Sequence, residues 1–129
     1  MTDYAAMLAA LEDGSFRPAR FGHEAHVGLG FQALKTHGFL RGMAVFSDGL
    51  RAAAERLGLT TKFNATVTIA FLSLIAERMA EAPDADADAF IARNPDLLSP
   101  DVLSRFYSPA RLSSPLARSV FLMPDRVGS

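Results

Sequence analysis

The sequence predicts an all-α fold: a small helical bundle with a central buried helix and a C-terminal tail of short helices. Three observations carry this reading. Up to Asn94, apolar residues recur at the 3.6-residue spacing of amphipathic helices. No segment shows the sustained polar–apolar alternation of a strand. Beyond Asn94, Ser99-Pro100, Ser108-Pro109 and Ser114-Pro115 each set a capping hydroxyl before a proline suited to the first helical position. With 129 residues the chain has room for one domain with a real core and not for two. The expected division is a bundle over 1–94 and a wrapping segment over 95–129.

The first helix is expected from Asp3 to Leu11, capped by Thr2 or Asp3 and stopped by Asp13-Gly14-Ser15. Phe16-Arg17-Pro18 reads as an extended link, because a residue preceding proline avoids helical backbone. Gly22 to His37 forms the second helix. Its inner stripe is His23, Val27, Gly30 and Leu34, with His26, Ala33 and His37 along the edge. Glu24, Gly28, Gln32 and Lys35 are expected to face water. Gly38 ends this helix, and His37 sits in a last turn that favours a cation. The third helix, Gly42 to Leu57, carries Met43, Phe46, Leu50, Ala53, Ala54 and Leu57 on one stripe.

Lys62 to Glu81 is apolar on nearly every side and is expected to be the buried centre, with Thr60 or Thr61 as its cap. At roughly 100° per residue, Asn64 and Thr68 share a face with Phe71 and Ile75. Thr66, Ser73, Glu77 and Glu81 form the opposite, solvent-facing strip. After Pro83, acidic residues crowd the start of a short helix. Asp84-x-Asp86-x-Asp88 imitates a calcium loop, but Ala89 stands where that loop needs glycine and Pro95 where it needs its final carboxylate. Leu98, Leu103, Phe106, Leu112, Leu116 and Phe121 are the apolar anchors expected to hold the wrapping segment.

Composition removes several function classes. Net charge is −1 and the basic residues are scattered, so nucleic acid is not an expected partner. The absence of cysteine excludes disulfides and thiolate chemistry. The N-terminal residues lack a signal-peptide pattern, and the uncharged run from Phe63 to Ala76 falls short of the about 20 apolar residues a spanning helix needs. A cytoplasmic protein without a membrane segment is therefore expected. Gly28-x-Gly30-x-x-Ala33 matches a dinucleotide fingerprint, but no strand precedes it.

His23-Glu24-Ala25-His26 is the strongest chemical signal. Two histidines at i and i+3 lie about 5–6 Å apart at Cβ on one helix face, close enough to share an ion. Imidazole suits zinc, iron or copper. A third ligand has to come from another helix, and Glu24 projects elsewhere. The competing reading makes both histidines hydrogen-bonded core or capping residues. Asn64 likewise divides between a site role and an N-cap role. The candidate pocket is His23, His26, Asn64 and Thr68, with His23 and His26 as the metal candidates. The expected ligand is a divalent transition metal or a small molecule, with His23 or His26 as ligand or general base. The competing function class is a non-catalytic interaction protein acting as a homodimer or partner-binding module.

Phe21-x-His23-x-x-His26, Lys62-Phe63-Asn64-x-Thr66-x-Thr68, Phe106-Tyr107-Ser108 and Pro124-Asp125 together resemble a family of small uncharacterised bacterial all-helical proteins. The resemblance covers most of the chain, from about Arg20 to Asp125, through short motifs. In that family the middle motif usually reads K-Y-H-x-T-x-T. The resemblance implies a three-histidine cluster there, which Asn64 leaves one imidazole short in this chain.

Overall fold

In a computed structural model, residues 2–17 and 22–126 are described, and among them every regular element is helical. Seven α-helices follow in order: α1 (Tyr4–Asp13), α2 (His23–His37), α3 (Phe39–Arg56), α4 (Ala65–Glu81), α5 (Ala87–Arg93), α6 (Pro109–Leu112) and α7 (Pro115–Ser119). Tight 3₁₀ turns occupy Thr60–Lys62, Pro95–Leu98 and Val102–Arg105. No helix is long and apolar enough to cross a membrane among the described residues. Pro18 and Phe21, part of the expected link and of the first motif, lie outside the described residues.

Local chemistry sets the helix ends. The Asp3 carboxylate accepts from Ala6 N at 3.0 Å and starts α1, while Gly14 closes it with φ 84°. Gly38, at φ 81°, ends α2 and immediately precedes α3, which therefore begins ahead of the expected Gly42. Asp86, Ser108 and Ser114 cap α5, α6 and α7 through side-chain oxygens. Ser99-Pro100 behaves differently: Ser99 Oγ accepts from Asp101 N in a turn, and the following 3₁₀ turn starts only at Val102.

The centre of the bundle is α2, not α4 as the apolar run suggested. Val27, Gly28, Leu29, Gly30, Phe31, Ala33 and Leu34 are all buried, and α2 packs against α1, α3, α4 and α5. Only Thr66, Phe71, Leu72 and Ile75 of α4 are fully buried. The expectation that Gly28 faces water is overturned, because the Tyr4 ring of α1 lies against its bare Cα. A Cβ there would sit 2.1 Å from Tyr4 Cζ. On the opposite side Gly30 admits Ile75 and Leu72 of α4, at 2.9 and 3.1 Å from a hypothetical Cβ. Glycine is thus what lets neighbours close on both sides of one helix.

The α2–α3 crossing is tighter still. A Cβ on Gly42 would meet the Ala33 carbonyl oxygen at 2.8 Å and Leu34 Cα at 3.0 Å, so only backbone movement makes room. Gly42→Ala should lower stability by about 1–3 kcal/mol through overpacking, despite a helix-propensity gain of about 1 kcal/mol. A urea midpoint equal to or above that of the parent protein would show that the two backbones do not touch.

Candidate functional site

Asn64 serves as the N-cap of α4. Its Oδ1 accepts from Val67 N at 2.9 Å, and its Nδ2 donates to the Leu112 carbonyl at 2.7 Å. The cap therefore falls on Asn64 rather than on the expected Thr60 or Thr61. Thr68 donates its hydroxyl to the Asn64 carbonyl at 2.8 Å. Both residues are thus engaged in starting α4, and Asn64 also fastens it to the last residue of α6.

Of the expected wet strip Glu77 and Glu81 are exposed, but Thr66 is not. It is fully buried, donates to Val120 O at 2.7 Å and accepts from Leu122 N at 3.0 Å. The C-terminal segment covers this face of α4. Tyr107 adds a bond to Leu122 O at 2.8 Å. The Ser108 amide and hydroxyl hold the Asp125 carboxylate at 2.7 and 2.6 Å, keeping it below the usual carboxylate range. The residues of the middle and late motifs therefore meet in one clasp. Repeated Thr and Ser beside Pro-Asp gave no sequence signal of that pairing.

The histidines, on α2, lie apart from this clasp. The His23 ring packs on Phe71 with centroids 5.2 Å apart, and its Nε2 is buried without a hydrogen-bond partner among the described residues. His26 lies 6.4 Å from His23, centroid to centroid, and 6.3 Å from Phe46 of α3. No hydrogen bond joins either histidine to Asn64 or Thr68 among the described residues. The structure thus sets the His23 and His26 rings 6.4 Å apart, ties Asn64 to Leu112 and keeps Thr68 within the first turn of α4. No group of three or more His, Asp or Glu able to hold a metal occurs among the described residues.

His26 lines a cavity of about 140 Å³ between α2, α3 and the segment leading into α4. Its other walls are Leu50, Ala53, Ala54, Leu59, Lys62 and Phe63. The sequence placed Leu50, Ala53 and Ala54 on the apolar stripe of α3, but nothing in its periodicity revealed that they and the turn at 59–63 meet at His26. Burial is the main force on this imidazole. It pushes the His26 pKa down to about 4, helped by the nearby His23 and opposed by the Gly22 carbonyl. At neutral pH His26 is an uncharged group with nitrogen chemistry facing an apolar space.

At the far end of α2, His37 Nε2 lies 3.3 Å from Glu12 Oε1 of α1 without hydrogen-bond alignment. Near the end of α4, Arg78 holds Asp96 through two bonds of 2.9 and 2.7 Å and also reaches buried Asn94. Asp96 is accordingly held below the ordinary aspartate value. Asp84 of the calcium-like run is held by Arg93, and Asp86 is the α5 cap, which accounts for those two acids structurally. Compared with family models, curated proteins and solved structures, the chain matches none.

The depressed His26 value makes stability pH-dependent. An unfolded histidine titrates near 6.5, so below that pH the unfolded chain binds a proton the folded chain refuses. Stability should be full above about pH 6.5 and fall by about 3 kcal/mol by pH 4, a window above that of the paired aspartates. Denaturant melts at stepped pH check this, and His26→Gln should flatten the slope between pH 4 and 6.5. An unchanged slope in that variant would place the titration elsewhere.

Proposed function

We propose that this chain is a small-molecule-binding protein whose ligand occupies the cavity beneath His26. The observation that carries the reading is the uncharged imidazole set among Leu50, Ala53, Ala54, Leu59 and Phe63, with Lys62 among the lining residues. A space of about 140 Å³, open on one side to solvent, admits a ligand no larger than a single ring. The fitting ligand is ring-sized, mostly apolar, and carries one anionic group for Lys62. His26 adds one oriented hydrogen bond.

Binding is favoured over acid–base catalysis on energetic grounds. A general base works best with a pKa near the operating pH, whereas His26 sits at about 4. Zinc, iron or copper binding draws support from the buried, unpartnered His23 Nε2 and from the neutral imidazole that a metal requires. Two imidazoles fall short of the three protein ligands of common catalytic sites, so the small organic ligand is the stronger reading.

Imidazole ¹⁵N spectra of the labelled protein, titrated with benzoate, benzyl alcohol, benzylamine and zinc chloride, test the proposal. Benzoate should shift the His26 nitrogens, and Lys62→Gln should weaken it by about tenfold, the scale of one charge-assisted bond. A response to zinc alone would move the assignment to a metal. Silence from every probe would leave His26 as a packing residue.

A second reading, a self-associating interaction protein, draws on exposed apolar side chains near the C-terminus: Leu116, Val120, Phe121 and Met123. Phe121 also borders a groove of about 170 Å³ with Leu74, Leu103, Phe106 and Pro124. Sedimentation at micromolar concentration should show a dimer that Phe121→Asp dissociates. A monomer at all concentrations removes this reading.

A further inference from the structure

A charged cleft lies beside the His26 cavity and shares Ala54 and Phe63 with it. It is an open cleft of about 430 Å³ between the outer face of α3, the turn at Thr60, the start of α4 and the end of α7. That volume falls within the range of about 300–1,000 Å³ typical of small-molecule pockets. We propose that this cleft binds a small zwitterion carrying a separated ammonium and carboxylate, of the ω-amino acid type.

The charge layout supports this ligand class. On α3, Arg51 stands between Asp48 at 3.6 Å and Glu55 at 3.9 Å. Two carboxylates around one guanidinium leave that wall net negative. These contacts are long and the side chains more than half exposed, so each is weak and re-forms around a ligand at little cost. Arg118, from α7, also lines the cleft and makes no ion pair among the described residues.

The position of Arg118 is fixed by the fold. Ala117, next to it, is fully buried, and Val120, two residues on, is bonded to Thr66. The guanidinium therefore rises from backbone anchored on both sides. Ala54 and Phe63 supply apolar lining for the methylene part of a ligand. Ser47 also lines the cleft, and its buried hydroxyl has no hydrogen-bond partner among the described residues. A ligand with one positive and one negative end satisfies both signs, whereas a simple anion or cation satisfies one.

Amide ¹H–¹⁵N spectra of the whole chain, titrated with 6-aminohexanoate, hexanoate and hexylamine, test the assignment. These probes share one carbon chain and differ in charge. The zwitterion should bind at least about tenfold more tightly than either singly charged probe, the scale of one charge-assisted hydrogen bond. Arg118→Gln and Asp48→Asn should each remove that advantage, and Arg118→Lys should restore part of it. Both positions are exposed, so thermal melts should be unchanged and the loss attributable to the ligand. Equal affinity for the three probes, or zwitterion binding indifferent to Arg118→Gln, overturns the proposal. No spectral change with any probe does the same.

Discussion

The buried hydroxyl of Thr66 is the contact on which the outer half of the molecule depends. It donates to one backbone carbonyl and accepts from one backbone amide, at Val120 and Leu122. Those two groups belong to a segment outside regular structure, where buried backbone must find partners or lose solvation. A single side chain supplies both. With this connection in place, Leu122 and Ala117 are buried, and Asn64 fastens the end of α6 through Leu112. The closure at Tyr107, Ser108 and Asp125 then completes a clasp rather than a loose tail.

The inner half depends on a different constraint, the absence of side chains on α2 and α3. Gly28 takes the Tyr4 ring, Gly30 takes Ile75 and Leu72, and Gly42 takes the Ala33 carbonyl. Close packing on several sides at once fixes the rotation of α2 about its own axis. That rotation carries His23 onto Phe71 and His26 toward Phe46 and the small cavity. The imidazole is consequently desolvated, and its proton affinity falls. Packing near Gly30 and the protonation state of His26 are consequences of one helix orientation.

Much of the helical framework was legible, because local effects set it. Periodicity located α1 to α5 within a few residues, and the Ser108 and Ser114 caps followed from side-chain chemistry adjacent in sequence. The assignment of faces was less legible. Gly28 and Thr66 were read as solvent-facing because polarity and size describe a residue and not what covers it. Tyr4 covers one and Val120 with Leu122 covers the other, each from a distant part of the chain. Apolar content also misjudged the centre: α4 is richer in large apolar residues, yet α2 is encased because its glycines let neighbours approach. At the candidate site, the pairing of His23 with His26 followed from helical spacing. The cavity walls did not, since Leu50, Leu59 and Lys62 reach His26 only through tertiary structure.

The segment from Thr60 to Asn64 links these halves. Lys62 and Phe63 line the His26 cavity, while Thr60 and Phe63 line the charged cleft. Asn64, the next residue, caps α4 and bonds Leu112. Phe63 and Ala54 belong to both linings, so the two spaces share a wall rather than lying at unrelated places on the surface. Under the proposed readings, a ligand that displaced Phe63 from either side would strain the same short turn. That turn has little slack, because Phe63 N is bonded to Thr60 O at one end and the Asn64 amide is held at both of its polar atoms at the other. Phe63 thus forms a wall common to both spaces, on a turn pinned at each end by the hydrogen bonds of Thr60 and Asn64.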